Sequence, residues 1–319
     1  MPLHPEGAPK KGIEIRVSEA RDADCHASNL TNWQQTYDQT SRGNFYGSIV
    51  ELPLEGLQVF RENTSQALQQ KCVVWPDSVW LGVPLAGQDE GRINGLTIRP
   101  GTVMCRPGDC EFELTTPRNY NLYGMVVSRE ALTKMARIHG TNLIWNELEE
   151  YGRLGVPGTT LEQLRFLLAR LLSGEHSVTP SHLQYDILMM ALLEVLSLET
   201  PQPAKTQSYH HRKQVVDRAR QFIENHLDEP ITMTQLCDVA NVSRRTLQYS
   251  FESIIGISPI HYLRVCRLNG TRRALIQSQN EEGVADIAAQ WGFWHLSQFA
   301  KDYRQLFGEL PSKTLERRF

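Results

Sequence analysis

Two short stretches near the C-terminus carry side chains of the kinds that read nucleic-acid bases. In the first, Arg245, Gln248 and Tyr249 fall on one side of a helical wheel, with Arg244 at its margin and Ser243 just ahead. Arginine can pair with guanine and glutamine with adenine, and tyrosine can reach a phosphate or a thymine methyl. In the second, Ser297, Lys301 and Arg304 share a face flanked by Leu296 and Gln298, with His295 in the position that Ser243 holds in the first. Backbone amides at the start of each helix could hold phosphates. No other constellation competes: no activated nucleophile, phosphate-binding loop or carboxylate pair stands out, so no catalytic residue is assigned. Histidine is absent between His26 and His139, where a metal-dependent enzyme built on strands would need clustered ligands, so no metal site is assigned. Asp24-Cys25-His26 begins like a cobalamin-ligating Asp-x-His-x-x-Gly motif, but Asn29 stands where the glycine belongs, and the match is read as chance.

A duplicated unit positions these side chains. Thr232 to Gln235 forms a T-x-x-Q capping box opening a helix with Leu236, Val239 and Ala240 inward. Asn241-Val242-Ser243 turns the chain, Ser243 caps the next helix, and Leu247, Phe251 and Ile254 make its buried ridge. Gly256 stops that helix, and Ser258-Pro259 starts a long one running to Ile276. The pattern then recurs. Ile287, Ala288 and Trp291 point inward, Gly292-Phe293 makes a turn one residue longer, and Phe299, Tyr303 and Leu306 form the second ridge. Gly308 and Pro311 repeat Gly256 and Pro259. Short helix, tight turn and second helix with a polar outer face is a helix-turn-helix arrangement, and two helices entering successive major grooves need about 34 Å between them.

At 319 residues the chain is long enough for two domains. The expected division is an effector-sensing and dimerisation domain over 1–200, a proline-bearing linker over 201–213, and a DNA-binding domain over 214–319. Net charge is −3 overall, yet residues 210–319 hold 15 basic against 12 acidic side chains. Between Ser243 and Arg273 lie Arg244, Arg245, Arg264, Arg267, Arg272 and Arg273 against one acid, Glu252, a field suited to a polyanion. From Gly43 to Val127, short β-rich runs broken by Gly, Pro, Asn or Asp predict an antiparallel barrel or sandwich. The predicted class is therefore α+β, a cupin-like β-barrel or sandwich with helices followed by an all-α tandem helix-turn-helix domain. Arg106 to Asp109 reads as a turn between strands. Ser128 should cap a helix to Ile138, and Thr159 or Thr160 another bearing Leu161, Leu164, Leu168, Leu171 and Leu172. Leu183 to Leu198, apolar on most sides, reads either as a dimerisation helix or as part of the domain core. Trp75 and Trp80 could wall an effector pocket, and an indole face suits an amine cation. The six cysteines form no C-x-x-C pair and read as reduced thiols. The polar N-terminus does not resemble a signal peptide, and the longest apolar run is too short to span a bilayer, so a cytoplasmic protein with no membrane partner is expected.

The segment Ser243-Arg-Arg-Thr-Leu-Gln, Gly256-Ile-Ser-Pro259, and Ile287-Ala288 through Gly292-Phe293 to Phe299, Tyr303, Phe307-Gly308 and Pro311 resembles the AraC/XylS family of bacterial transcription regulators. That resemblance implies a tandem helix-turn-helix domain with a linker helix, a sensing domain, a homodimer, promoter DNA and RNA polymerase as partners. It places base contacts on Arg245, Gln248, Tyr249, Leu296, Ser297, Gln298 and Lys301. Trp33 to Gln39, Gln58 to Glu62, Val74-Trp75-Pro76, Phe112 to Leu114 and Gln290 to His295 resemble the branch that activates ethanolamine-utilisation operons. This implies ethanolamine with adenosylcobalamin as effectors. Two other readings stand beside it: a cupin-like enzyme with an accessory DNA-binding tail, and a DNA-binding protein that needs no ligand.

Overall fold

The structure, a computed structural model, describes residues 15–141, 143, 152–174, 181–197, 200, 201, 206–278 and 282–317. The strand-rich region forms two antiparallel sheets. The larger runs β1(Arg16–Ala20), β3(Gly47–Leu54), β4(Leu57–Thr64), β11(Tyr120–Ser128), β6(Ser78–Pro84), β9(Thr102–Pro107), β12(Arg153–Gly155) and β13(Thr200–Pro201) in spatial order. The smaller runs β2(Gln34–Gln39), β5(Leu68–Val73), β10(Phe112–Thr116), β7(Arg92–Ile93) and β8(Leu96–Thr97). Successive strand side chains alternate between faces, so the larger sheet feeds two cores. Phe60, Trp80, Met104 and Val126 point between the sheets, where they meet Tyr37, Leu68, Phe112 and Leu114. Their neighbours Val59, Leu81, Val103 and Val127 point the other way, against α2(Arg129–Ile138), α3(Gly158–Leu172) and α4(Ser181–Ser197). A short helix, α1(Ala23–Ala27), lies beside β2 and β3.

Every strand anticipated from β-rich runs is present. The turn expected at Arg106–Asp109 forms at its second half, Gly108–Asp109, with Asp109 at φ 59°, while Arg106 and Pro107 still belong to β9. Trp80 is corrected: alternation in β6 sends it inward, where it is fully buried and stacked on Phe112 at 4.7 Å with Trp33 edge-on at 6.0 Å. It is a core residue, and Trp75 is half-buried against the same core. His26 is also interior, with Nε2 3.0 Å from Glu62 Oε1, enclosed by Tyr37 and Phe45, and so is in no position to ligate cobalt. Ser128 caps α2 as expected, accepting from the Ala131 amide. The cap predicted at Thr159 or Thr160 is absent, because α3 starts at Gly158 after Pro157. Leu198 and Glu199 lie outside the described residues. Among those described, no helix is long and apolar enough to cross a membrane.

The C-terminal region is helical: α5(Gln207–Asn225), α6(Met233–Ala240), α7(Arg244–Ile254), α8(Pro259–Gln277), α9(Val284–Gln290), α10(Leu296–Phe307) and α11(Pro311–Glu316). Residues 207–213, which composition assigns to the linker, are the first turns of α5, capped by Thr206. Two separate cores form. One gathers Val216, Leu236, Leu247 and Phe251, the other Ile287, Phe299, Tyr303 and Leu306. Helix α8 serves both, with Tyr262, Leu263 and Cys266 in the first and Leu268 and Leu275 in the second.

The same helix docks onto the sheets. Strand β2 is an edge, and an edge exposes unpaired backbone groups. Asn269 occupies them at one residue: its amide donates to the Gln39 carbonyl, and the Gln39 N–H donates to its Oδ1, each at 3.0 Å. One turn on, Arg272 pairs with Asp22 at 2.5 Å and Glu309 at 2.9 Å, and Arg273 with Asp38 at 2.9 Å and Asp24 at 3.3 Å. Contacts to both units flank this seam. Tyr209 donates to the Asn94 carbonyl at 2.6 Å, Arg220 reaches Glu113 at 2.5 Å, and the Gly43 amide donates to the Leu306 carbonyl at 3.0 Å.

Burial at this seam pushes the Asp24 carboxyl up to about 6, a rise that Arg273 only partly offsets, and Asp38 is raised for the same reason. The folded state therefore holds the Asp24 proton more tightly than the unfolded chain. Its contribution to stability is complete below its ordinary value and is lost as pH rises through about 6. We expect urea unfolding between pH 4.5 and 7.5 to show this decline in the wild type and a flatter profile in Asp24→Asn. Superimposable pH profiles would contradict the assignment.

Candidate nucleic-acid interface

Two helices present the candidate readers, and each is set by a local signal. Asn241 adopts the left-handed conformation that ends α6, at φ 53° and ψ 48°. Ser243 then caps α7 by accepting from the Thr246 amide at 3.2 Å. The capping box ahead of α6 closes in both directions: the Gln235 amide donates to Thr232 Oγ1 at 3.3 Å, and the Thr232 amide to Gln235 Oε1 at 2.8 Å. Leu247, Phe251 and Ile254 are buried as expected, and Val239 is not, remaining 38% exposed. In the second unit the turn spans five residues, 291–295, against three, 241–243, in the first. It is therefore two residues longer rather than one. His295 occupies the cap position of α10 without making a side-chain cap bond. Gly308 ends α10 in the left-handed region at φ 76°. Gly270 on α8 lets the Trp291 ring approach so closely that a Cβ there would lie 2.0 Å from it.

With both ridges buried, the opposite faces are open. Arg244 and Arg245 are exposed, Gln248 is half-buried, and Tyr249 is 60% exposed beneath the Arg212 guanidinium. On α10, His295, Leu296, Ser297, Lys301 and Arg304 are exposed. Gln298 is exposed too, but its amide donates to Asp302 at 2.8 Å. All eleven candidate positions thus lie on two helix faces turned away from their cores, and none is fully buried. Trp294, 66% exposed in the second turn, joins this surface. Sequence reading passed over it as part of a motif, although a large aromatic in a polar turn was a signal.

The basic stripe is corrected. Of the six arginines between Ser243 and Arg273, four serve the protein itself. Arg264 pairs with Asp302, Arg267 donates to the Leu227 and Glu229 carbonyls, and Arg272 and Arg273 hold the seam. Arg244 and Arg245 are the two left for an outside partner. The local field at α7 is consequently narrower than the count of charges suggests, and Lys301 and Arg304 supply its counterpart on α10.

Comparison with known proteins agrees with this geometry. Residues 236–317 match the helix-turn-helix domain family. Over 100 residues the chain is 41% identical to a XylDLEGF operon transcriptional activator of Pseudomonas putida, covering 31% of each protein. Over 102 residues it is 36% identical to a probable thc operon regulatory protein of Rhodococcus erythropolis, covering 32% of this chain and 31% of that one. It is also 32% identical to a solved structure, a probable AraC family transcriptional regulator from Rhodopseudomonas palustris. That match covers 33% of this chain and 98% of the other at a TM-score of 0.31. The chain spans about a third of the length of these curated relatives.

The two cap positions make a contrasting prediction. Ser243→Ala should lower stability by about 0.5–2 kcal/mol, the usual cost of a lost helix cap. His295→Ala should cost little, having no cap bond to lose. Equal losses in urea unfolding would contradict this assignment of the caps.

Proposed function

We propose, from the premise that the C-terminal third is a helix-turn-helix domain of the AraC/XylS family, that this chain is a sequence-specific DNA-binding transcription activator. The observation that carries it is the pair of helices α7 and α10, each with a buried apolar ridge and an exposed polar face. Arg245 and Gln248 suit base edges in one groove, and Ser297 and Lys301 suit those in the next. On this reading Ser243, Arg244, His295 and Arg304 would contact phosphates and sugars, and Tyr249 a phosphate or a thymine methyl. Leu296, 46% exposed, supplies apolar contact such as a thymine methyl would meet. An activator of this kind works with RNA polymerase at a promoter, and no enzymatic role is proposed. Selection from random duplexes should yield a preferred sequence. Against that sequence Arg245→Ala should lose about 1–3 kcal/mol and relax the preference at one position. No preference over random DNA in the intact protein would overturn the proposal.

The sensing and dimerisation domain is proposed over residues 1–200, with α5 to α11 as the DNA-binding domain. Leu183, Ile187 and Met190 form a stripe on α4 at spacings of four and three, 45%, 40% and 46% exposed, while Leu188, Met189, Leu192 and Leu193 on the same helix are buried. Core helix and dimerisation helix are thus compatible readings of one element. A homodimer through this stripe is expected to fall apart in Ile187→Glu, as measured by sedimentation of the full chain. An unchanged molar mass would remove α4 from the interface.

As effectors we propose ethanolamine with adenosylcobalamin, from the residue similarity of the N-terminal half. With Trp80 in the core, the support for an amine-binding wall falls to Trp75. Ethanolamine and adenosylcobalamin together should change affinity for the selected duplex. Unchanged binding with both present would favour a ligand-independent protein or another effector.

A further inference from the structure

Between the sheets and the second helix-turn-helix unit lies a cavity of about 470 Å³. Its lining comes from both sides: Arg21 and Phe45 from the strand-rich part, and Arg304, Phe307, Leu310 and Lys313 from the helices among others. Phe45, Phe307 and Leu310 supply apolar surface, and the charge around them is unbalanced. Glu309, the acid in the lining, is already held by Arg272 at 2.9 Å and Arg317 at 2.7 Å, and Arg272 also pairs with Asp22. Arg21, Arg304 and Lys313 make no ion pair among the described residues, and all three are exposed.

Three cations that make no ion pair among the described residues give this concavity a positive charge that the acid in its lining does not offset. No single carboxylate supplied by the protein answers all three, and they approach from different elements: the segment between β1 and α1, the C-terminal half of α10, and α11. A ligand that satisfied them would carry more than one negative charge. The volume fits a small metabolite, being at the lower end of ordinary ligand pockets. An ammonium such as that of ethanolamine has the wrong sign for this position.

We propose that this cavity is a binding site for a small multivalent organic anion, a di- or tricarboxylate or a phosphate ester, which bridges the strand-rich domain and the second helix-turn-helix unit. The site does not require the chain to recognise a particular DNA sequence, and it shares Arg304 alone with the proposed DNA-reading face. Guanidinium and ammonium groups bond carboxylate and phosphate oxygens through charge-assisted hydrogen bonds. Occupancy would tie Arg21 to Lys313 and Arg304, adding an ionic link across the domain boundary close to where the Gly43 amide already meets Leu306.

The test is isothermal titration of the full chain, without DNA, using citrate in one arm and inorganic phosphate in another, each matched in ionic strength with chloride. We expect saturable binding with one anion per chain in at least one arm, the stronger arm identifying carboxylate or phosphate as the preferred group. Arg21→Gln, on the strand-rich side, and Lys313→Gln, on the helical side, should each weaken it severalfold, and together by about tenfold or more. Both substitutions are at exposed positions and leave the two cores untouched. Absence of saturable heat in both arms would overturn the proposal, as would equal affinity in the wild type and the double variant. An effect of Lys313→Gln with none from Arg21→Gln would place the anion on the helical unit alone and overturn the bridge. Specific DNA binding is read separately through Arg245, so loss of one result leaves the other standing.

Discussion

Helix α8 is the constraint on which the arrangement depends. Its first turns are part of one helix-turn-helix core, its later turns part of the other, and a third side is spent on the β2 edge. A helix rises 1.5 Å per residue, so its nineteen residues span about 28 Å along the axis. A helix packed into two cores and against a sheet edge cannot bend without opening one of them. The two candidate reading helices are therefore held to one another through a single shared helix rather than tethered as two modules. Close packing carries that rigidity at Gly270, where the Trp291 ring leaves no room for a side chain.

The seam between the halves is polar where the cores are apolar. Asn269 satisfies an edge strand that would otherwise show free backbone groups, and Arg272 and Arg273 each answer two carboxylates. Partly buried ion pairs contribute modestly to stability, because desolvation offsets much of their attraction. They do define one docking geometry, since each arginine must find its acids at the right distance. Such a seam can respond to pH or to charged ligands in a way that an apolar core cannot.

Much of this was legible from local pattern. Short β-rich runs broken by turn residues found strands between Gly43 and Val127, and buried ridges at Leu247, Phe251 and Ile254 and at Phe299, Tyr303 and Leu306 found the two units. Caps at Ser128, Thr232, Ser243 and Ser258 were visible because a cap is set by neighbours within four residues. What failed depended on distant partners. Arg272 and Arg273 looked like part of a DNA-facing stripe because Asp22, Asp24 and Asp38 lie more than two hundred residues away in the chain. Trp80 could be read as a pocket wall or as core, and the second sheet decides it. Strand β2 is polar in sequence, and its burial comes from distant partners, the inter-sheet core at Tyr37 and the docked helix at Gln39. The start of α5 was assigned to a linker by composition, although Tyr209 anchors it to Asn94.

The rigid spacing of the two reading helices is tested most directly on the DNA. On the sequence selected by the protein, five base pairs inserted between the two contacted patches would turn the second by half a helical turn. If α8 is the fixed spacer, the insertion removes the contribution of α10, and affinity falls to that of the first patch alone. Affinity unchanged by the insertion would show that the units move independently, and would contradict the account.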